Sequence, residues 1–230
     1  FPATGVNPWE VVPGNPAGFY ATLNGTTVVV NTWGLDAASN IEPLTTFTYR
    51  YDTSLPTATV TTPSDASFLS GVSAISGTAV DSFTGVDRVE VKVTSAPGHS
   101  TFWTGSSYTV TETWNLPTGL AGWSFSSLTG AFTNGGQYRA IARARDAAQN
   151  WQAVYSTSNF TYDLDIPTAT VVLPAEAGNY GDLPTLSGTY ADTTPGEISR
   201  VEVSVRQVGA SYWNGSVCGA ATEYWNSNTT

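Results

Sequence analysis

With 230 residues the chain has the length of one or two domains, and its 40% hydrophobic and 12% aromatic residues can build cores rather than stay disordered. A net charge of −10 with only eight Lys and Arg excludes nucleic acid, whose phosphates demand a basic face, and disfavours an anionic membrane surface for the same reason. One cysteine, Cys218, excludes an internal disulfide framework, and no run of about 18 apolar residues is present to insert into a membrane. Acidity of this kind reads as solubility outside the cell. Cys218 is expected as a small buried hydrophobe. Met is absent even at position 1, so the chain is expected to start inside a longer precursor.

In chain order, Thr26–Trp33 reads as a strand, followed by the turn Asp36-Ala37-Ala38-Ser39-Asn40 and a second strand through Phe47–Asp52. Thr57–Thr61 and Val72–Val80 come next. Val86–Thr94 alternates with period 2, placing Val89, Val91 and Val93 on one face and Arg88, Glu90 and Lys92 on the other. Thr101–Trp103 and Ser107–Trp114 flank Thr104-Gly105-Ser106, a hairpin turn. Gly122–Phe125 is strand-sized and Asn134-Gly135-Gly136 is a turn. In Tyr138–Arg145 the residues Tyr138, Ala140, Ala142 and Ala144 point in, and Arg139, Arg143 and Arg145 point out. Ala153–Tyr162 closes the series. β-branched and aromatic residues dominate throughout, so the fold class is all-β.

The chain repeats itself. Pro-Thr-Ala-Thr-Val occurs at Pro56–Val60 and again 111 positions later at Pro167–Val171, each copy after a Tyr-Asp pair. Leu186–Thr189 echoes Ile75–Thr78, Asp192 echoes Asp81, and Arg200–Val205 echoes Arg88–Val93. Tyr212–Ser216 echoes Phe102–Ser106, and Glu223–Asn226 echoes Glu112–Asn115. At the other end, Asp36–Asn40 echoes Asp146–Asn150. The repeat length is close to that of one immunoglobulin-like β-sandwich, about 100 residues. The expected architecture is therefore tandem Ig-like sandwiches. Residues 1–52 form the C-terminal half of one, 53–163 a complete one, and 164–230 the N-terminal half of a third. Joining the last segment to the first restores the order of the complete repeat, with Trp9 in the place of Trp123. The poles of such a sandwich lie about 30–40 Å apart, whereas linkers of about four residues reach at most about 14 Å. The two halves are thus expected to be completed by neighbouring copies, in a head-to-tail contact that does not close on itself. A continuous giant chain, of which these residues are one window, gives the same fibre.

The motifs Pro-Thr-Ala-Thr-Val, Gly-Val-Asp-Arg-Val-Glu-Val, Trp-Thr-Gly-Ser-Ser and Arg-Ala-Arg-Asp-Ala-Ala-Gln-Asn together resemble tandem bacterial Ig-like repeats of large secreted surface and adhesin-type proteins. That resemblance implies an extracellular or cell-surface stalk, adhesin or matrix fibre, and Ca²⁺ held between domains.

No cofactor is required by any motif. For Ca²⁺ the candidate ligands are Asp163 and Asp165 at a domain junction, with Asp146 and Asn150 approaching from a turn at the same pole, because a hard cation needs six to eight oxygens. The alternative is a solvated hinge whose aspartates satisfy turn backbone. Trp103 and Trp213, beside hairpin turns, are candidate platforms for surface glycans, weighed against core packing. Asn24, Asn159, Asn214 and Asn228 each begin an Asn-x-Ser/Thr sequon. Catalysis is not expected. His99, the sole histidine, has no nucleophile pattern, one His and one Cys make no zinc site, and Glu90 and Glu112 read as outward strand residues. The expected function is a structural subunit or repeat segment of an extracellular bacterial filament whose partners are further copies of itself. The alternatives are a carbohydrate-binding adhesin and an accessory module of a secreted enzyme.

Overall fold

The computed structural model describes residues 22–209, 211–220 and 222–228. The protein is all-β with several sheets, consistent with a β-sandwich. Among the described residues no helix is long and apolar enough to cross a membrane. The chain divides into two units. The first holds residues 22–67, Val72–Ala131 and Tyr138–Phe160, and the second holds Phe68–Gly71, Phe132–Gln137 and the chain from Thr161 onward.

In the first unit, β1 (Thr26–Thr32) and β2 (Thr45–Tyr51) form a two-stranded antiparallel ribbon. The strands that follow are β3 (Thr57–Thr62), β4 (Ser67–Leu69), β5 (Ile75–Val80), β6 (Val86–Ser95), β7 (Thr101–Trp103) and β8 (Tyr108–Thr109). Then come β9 (Gly122–Phe125), β10 (Gly136–Asp146) and β11 (Ser156–Tyr162), and β4, β10 and β11 each have one end among the residues of the second unit. They build a three-stranded sheet, β3-β5-β9, and a six-stranded sheet, β4-β11-β10-β6-β7-β8. The core is lined from both. Ala58, Ile75, Ala79, Trp123 and Phe125 come from the small sheet, and Val89, Val91, Val93, Ala140, Ala142, Ala144 and Phe160 from the large one, all buried. Period-2 alternation is what allows one face of each strand to be apolar. Burying each large apolar side chain contributes about 1.5–3 kcal/mol.

Gly77 in β5 shows why the repeated Ser-Gly-Thr is glycine. A Cβ there would collide with the Thr59 carbonyl oxygen and the Trp123 indole. Gly188, its echo, is crowded in the same way by the Thr170 carbonyl oxygen. The β7–β8 turn forms at Thr104–Ser107, where the Thr104 N–H donates to the Ser107 carbonyl at 2.9 Å and Gly105 adopts φ +97°.

The second unit carries β12 (Thr168–Leu173), β13 (Ser187–Ala191), β14 (Val201–Val203), β15 (Tyr212–Trp213), β16 (Cys218–Ala220) and β17 (Asn226–Asn228). They pair two by two, as β12-β13, β14-β17 and β15-β16. Cys218, expected to be buried, is exposed in β16, whose partner strand β15 has only two residues.

Candidate functional site

Two features could do chemistry or recognition: an acidic corner in the first unit and exposed apolar side chains on two-stranded sheets of both units. Asp52 follows β2, Asp81 follows β5 and Asp146 ends β10, and one carboxylate oxygen from each lies within 4.8 Å of the others. Asp52 Oδ1 accepts from the Ser54 N–H at 2.8 Å, and Oδ2 from the Thr84 N–H at 3.1 Å and the Thr84 hydroxyl at 2.7 Å. Both Asp146 oxygens accept from Asn150, its N–H and its side-chain amide each at 2.8 Å. Asp81 Oδ2 accepts from the Phe83 and Gly85 N–H groups. Asp81 Oδ1 is sealed from solvent and accepts nothing. A buried carboxylate oxygen without a partner is costly, and a hard divalent cation satisfies such a group through oxygen ligands alone. Asp52, Asp81 and Asp146 therefore fit Ca²⁺.

The sequence grouped Asp146 and Asn150 with Asp163 and Asp165. The structure places Asp146 with Asp52 and Asp81 in the first unit, whereas Asp163 and Asp165 belong to the second. Asp163 and Asp165 serve the second unit. The Asp165 N–H donates to Asp163 Oδ1 at 3.0 Å, and Asn134 donates to Asp165 Oδ1 at 2.9 Å while accepting the Leu164 N–H at 2.6 Å. Asn24 makes the same clamp in the first unit, accepting the Thr53 N–H at 2.7 Å and donating to Ser54 Oγ at 3.3 Å. These asparagine clamps were missed from sequence, although the offset between Asn24 and Asn134 matches that between the two Asp-Ala-Ala turns.

Burial pushes the Asp52 carboxyl up, but the hydrogen bonds from Thr84 and Ser54 outweigh it and hold the group below its ordinary 3.8. A depressed carboxylate stabilises the fold above its unfolded value, and that contribution is lost as pH falls through the lower folded value. Asp52→Asn should therefore flatten the acid limb of a plot of melting temperature against pH below about 4, and leave the slope between pH 5 and 8 unchanged.

The strand edges come next. Val30 in β1 and Phe47 in β2 are 38% and 66% exposed, as are Trp33, Leu35 and Ile41 in the connecting turn at 58%, 58% and 68%. In the second unit Val171, Leu186, Tyr190 and Val203 are 66%, 46%, 55% and 36% exposed. The echoes of Leu186, Tyr190 and Val203 are Ile75, Ala79 and Val91, at 0%, 5% and 0% exposed, while Val60, the echo of Val171, is half-buried. Local geometry repeats closely nonetheless. Asn40 donates N–H and side-chain amide to Asp36 at 2.8 and 2.7 Å, as Asn150 does to Asp146. The side-chain amide of Asn226 donates to the Trp213 carbonyl at 3.3 Å, as that of Asn115 does to the Trp103 carbonyl at 2.8 Å.

Trp103 is 2% exposed, donates Nε1–H to the Ser127 carbonyl at 2.7 Å and meets Tyr108 edge to face. It is a core anchor and offers no face to a sugar. Trp213 is half-buried. Of the sequon asparagines, Asn24 is held in its clamp, and Asn159 is fixed between Arg139 and Asp65. Asn214 is exposed, its side-chain oxygen accepting from the Ser216 and Val217 N–H groups. The side chain of Asn228, like Trp9, lies outside the described residues. His99 sits in the turn after β6, with Nδ1 3.0 Å from the Thr94 hydroxyl. No protein-family model and no curated protein matches the chain.

Proposed function

We propose that the protein is a structural subunit or repeat segment of an extracellular bacterial filament, in which strands of one copy complete an Ig-like sandwich begun by the next. One observation carries this reading. Val30, Leu186, Tyr190 and Val203 are exposed at positions whose echoes Ala140, Ile75, Ala79 and Val91 in the central repeat are buried. Contiguous exposed apolar surface and open strand edges mark interaction sites in soluble proteins. The sheet orders β3-β5-β9 and β11-β10-β6 support an Ig-like arrangement, since they match two layers of that sandwich in sequence order. The test is sedimentation and negative-stain electron microscopy of the purified chain. Head-to-tail fibres are expected, and a monodisperse 24.2 kDa species at micromolar concentration would overturn the reading. The adhesin alternative has lost the Trp103 platform, and a glycan array tests what remains of it.

Ca²⁺ at Asp52, Asp81 and Asp146 is the second part of the proposal, favoured by the orphaned Asp81 oxygen. Ca²⁺ at about a hundredfold over its dissociation constant would add about 2.7 kcal/mol. The melting temperature should rise on adding Ca²⁺ and return with a chelator, and Asp81→Asn should abolish that response. Equal melting with Ca²⁺ and with chelator would remove the ion.

A further inference from the structure

We infer that β14 of one copy takes β1 of a second copy as its antiparallel neighbour, with Asn31 opposite Ser204, Val30 opposite Val205 and Thr32 opposite Val203. This rests on the filament reading and names its seam. β1 pairs with β2 on one edge, and among the described residues nothing pairs with its other edge. β14 pairs with β17 on one edge, and its other edge is likewise open among the described residues.

The central repeat supplies the template. There β10 lies between β11 and β6, with Ala140 opposite Val93, Ile141 opposite Lys92 and Ala142 opposite Val91. Contacts as well as letters fix how each end segment maps onto it. The bridge Leu35–Ile41 and the Asp36–Asn40 network reproduce the bridge Arg145–Trp151 and the Asp146–Asn150 network, so β1 is β10 displaced by 110 positions. Val203 opposite Asn226 reproduces the bridge Val91–Asn115, so β14 is β6 displaced by 112. The edge of β6 facing Asn115 is thus the edge of β14 already taken by β17, and the edge that β10 occupies is the one left open. One strand fits it: β1, whose own open edge is the one that β10 turns toward β6.

The side chains agree. Val30, Thr32 and Gly34 would replace Ala140, Ala142 and Ala144 against Val205, Val203 and Val201, again a set of small inward residues. On the outer face the ion pair of Arg143 with Glu90 becomes Trp33 beside Glu202. The seam therefore gains no ion pair at that position and should hold at high salt. The same mapping brings the second copy's Asp36 to Asp163 and Asp192, as Asp146 meets Asp52 and Asp81.

The experiment is disulfide trapping in a Cys218→Ser background. Asn31→Cys and Ser204→Cys chains, purified separately and mixed under mild oxidation, should give a covalent dimer. Asn31→Cys mixed with Glu202→Cys or with Arg206→Cys should give at least tenfold less. A fluorescence melt of each variant matching the parent shows that the fold is kept. A second matched pair, Thr32→Cys with Val203→Cys, repeats the test at a core-facing position. Assembly without either matched crosslink, or with the shifted pairs favoured, overturns the register and leaves the filament standing. Absence of any species above the monomer in the parent chain overturns both.

Discussion

Val91→Asp should collapse the central sheet, whereas Val203→Asp should leave the thermal transition in place and abolish assembly. The two valines echo each other in sequence and differ in surroundings. Val91 is 0% exposed, in the middle of the large sheet, and an unpaired carboxylate there has neither water nor a cation. The cost is about 4 kcal/mol or more. At about 4–8 °C per kcal/mol for a domain of this size, the melting temperature should fall by about 15 °C or more. Val203 is 36% exposed, so aspartate at that position stays solvated in the single chain. Its cost appears only when a partner strand covers it. Circular dichroism melting and sedimentation of both variants read the two effects separately. Equal destabilisation by both would mean that Val203 already faces a closed core, and the filament reading would fall.

Glu90→Ala should cost about 2–3 kcal/mol, a fall of about 10–20 °C in melting temperature, although the residue lies on the outward face of its strand. The residue is 4% exposed, and its carboxylate bridges two arginines, with Arg88 Nη2 at 2.6 Å and Arg143 Nη2 at 2.6 Å. The Arg143 guanidinium in turn stacks 4.0 Å from the centre of the Trp114 ring and 4.4 Å from that of Trp151. Removing the carboxylate leaves two cations facing each other under an aromatic lid. The Arg145–Asp87 pair provides the control, since it is more open to water and such pairs contribute about 0–1 kcal/mol. Asp87→Asn should therefore shift the melting temperature by only a few degrees. Arg143→Lys should bring a loss of its own, because an ammonium offers neither the planar stack nor the two-pronged bond.

The strand faces were legible in the sequence because a period of two residues is a local signal. Val89, Val91 and Val93 against Ala140, Ala142 and Ala144 could be read without knowing which strands pair. The hairpin at Thr104–Ser107 was legible for the same reason. What sequence could not supply was the depth of groups whose cover comes from elsewhere. Glu90 reads as solvent-facing until Arg143 and Trp114, from other parts of the chain, close over it. The acidic corner needs residues 52, 81 and 146 in one place, and only the tertiary fold brings them there. β4 went unread because three residues carry too little periodicity to stand out.

The placement of the basic residues has a consequence for digestion. Arg50, Arg88, Lys92, Arg139, Arg143 and Arg145 all lie within strands, where the backbone is engaged in sheet hydrogen bonds and cannot enter a protease cleft without local unfolding. Of the eight basic side chains, Arg200 and Arg206 alone lie outside the strands. Arg206 is held in a bridge with Tyr212, so the least engaged site for a trypsin-like enzyme is Arg200, just before β14, and a neighbouring chain laid along that strand would shield it.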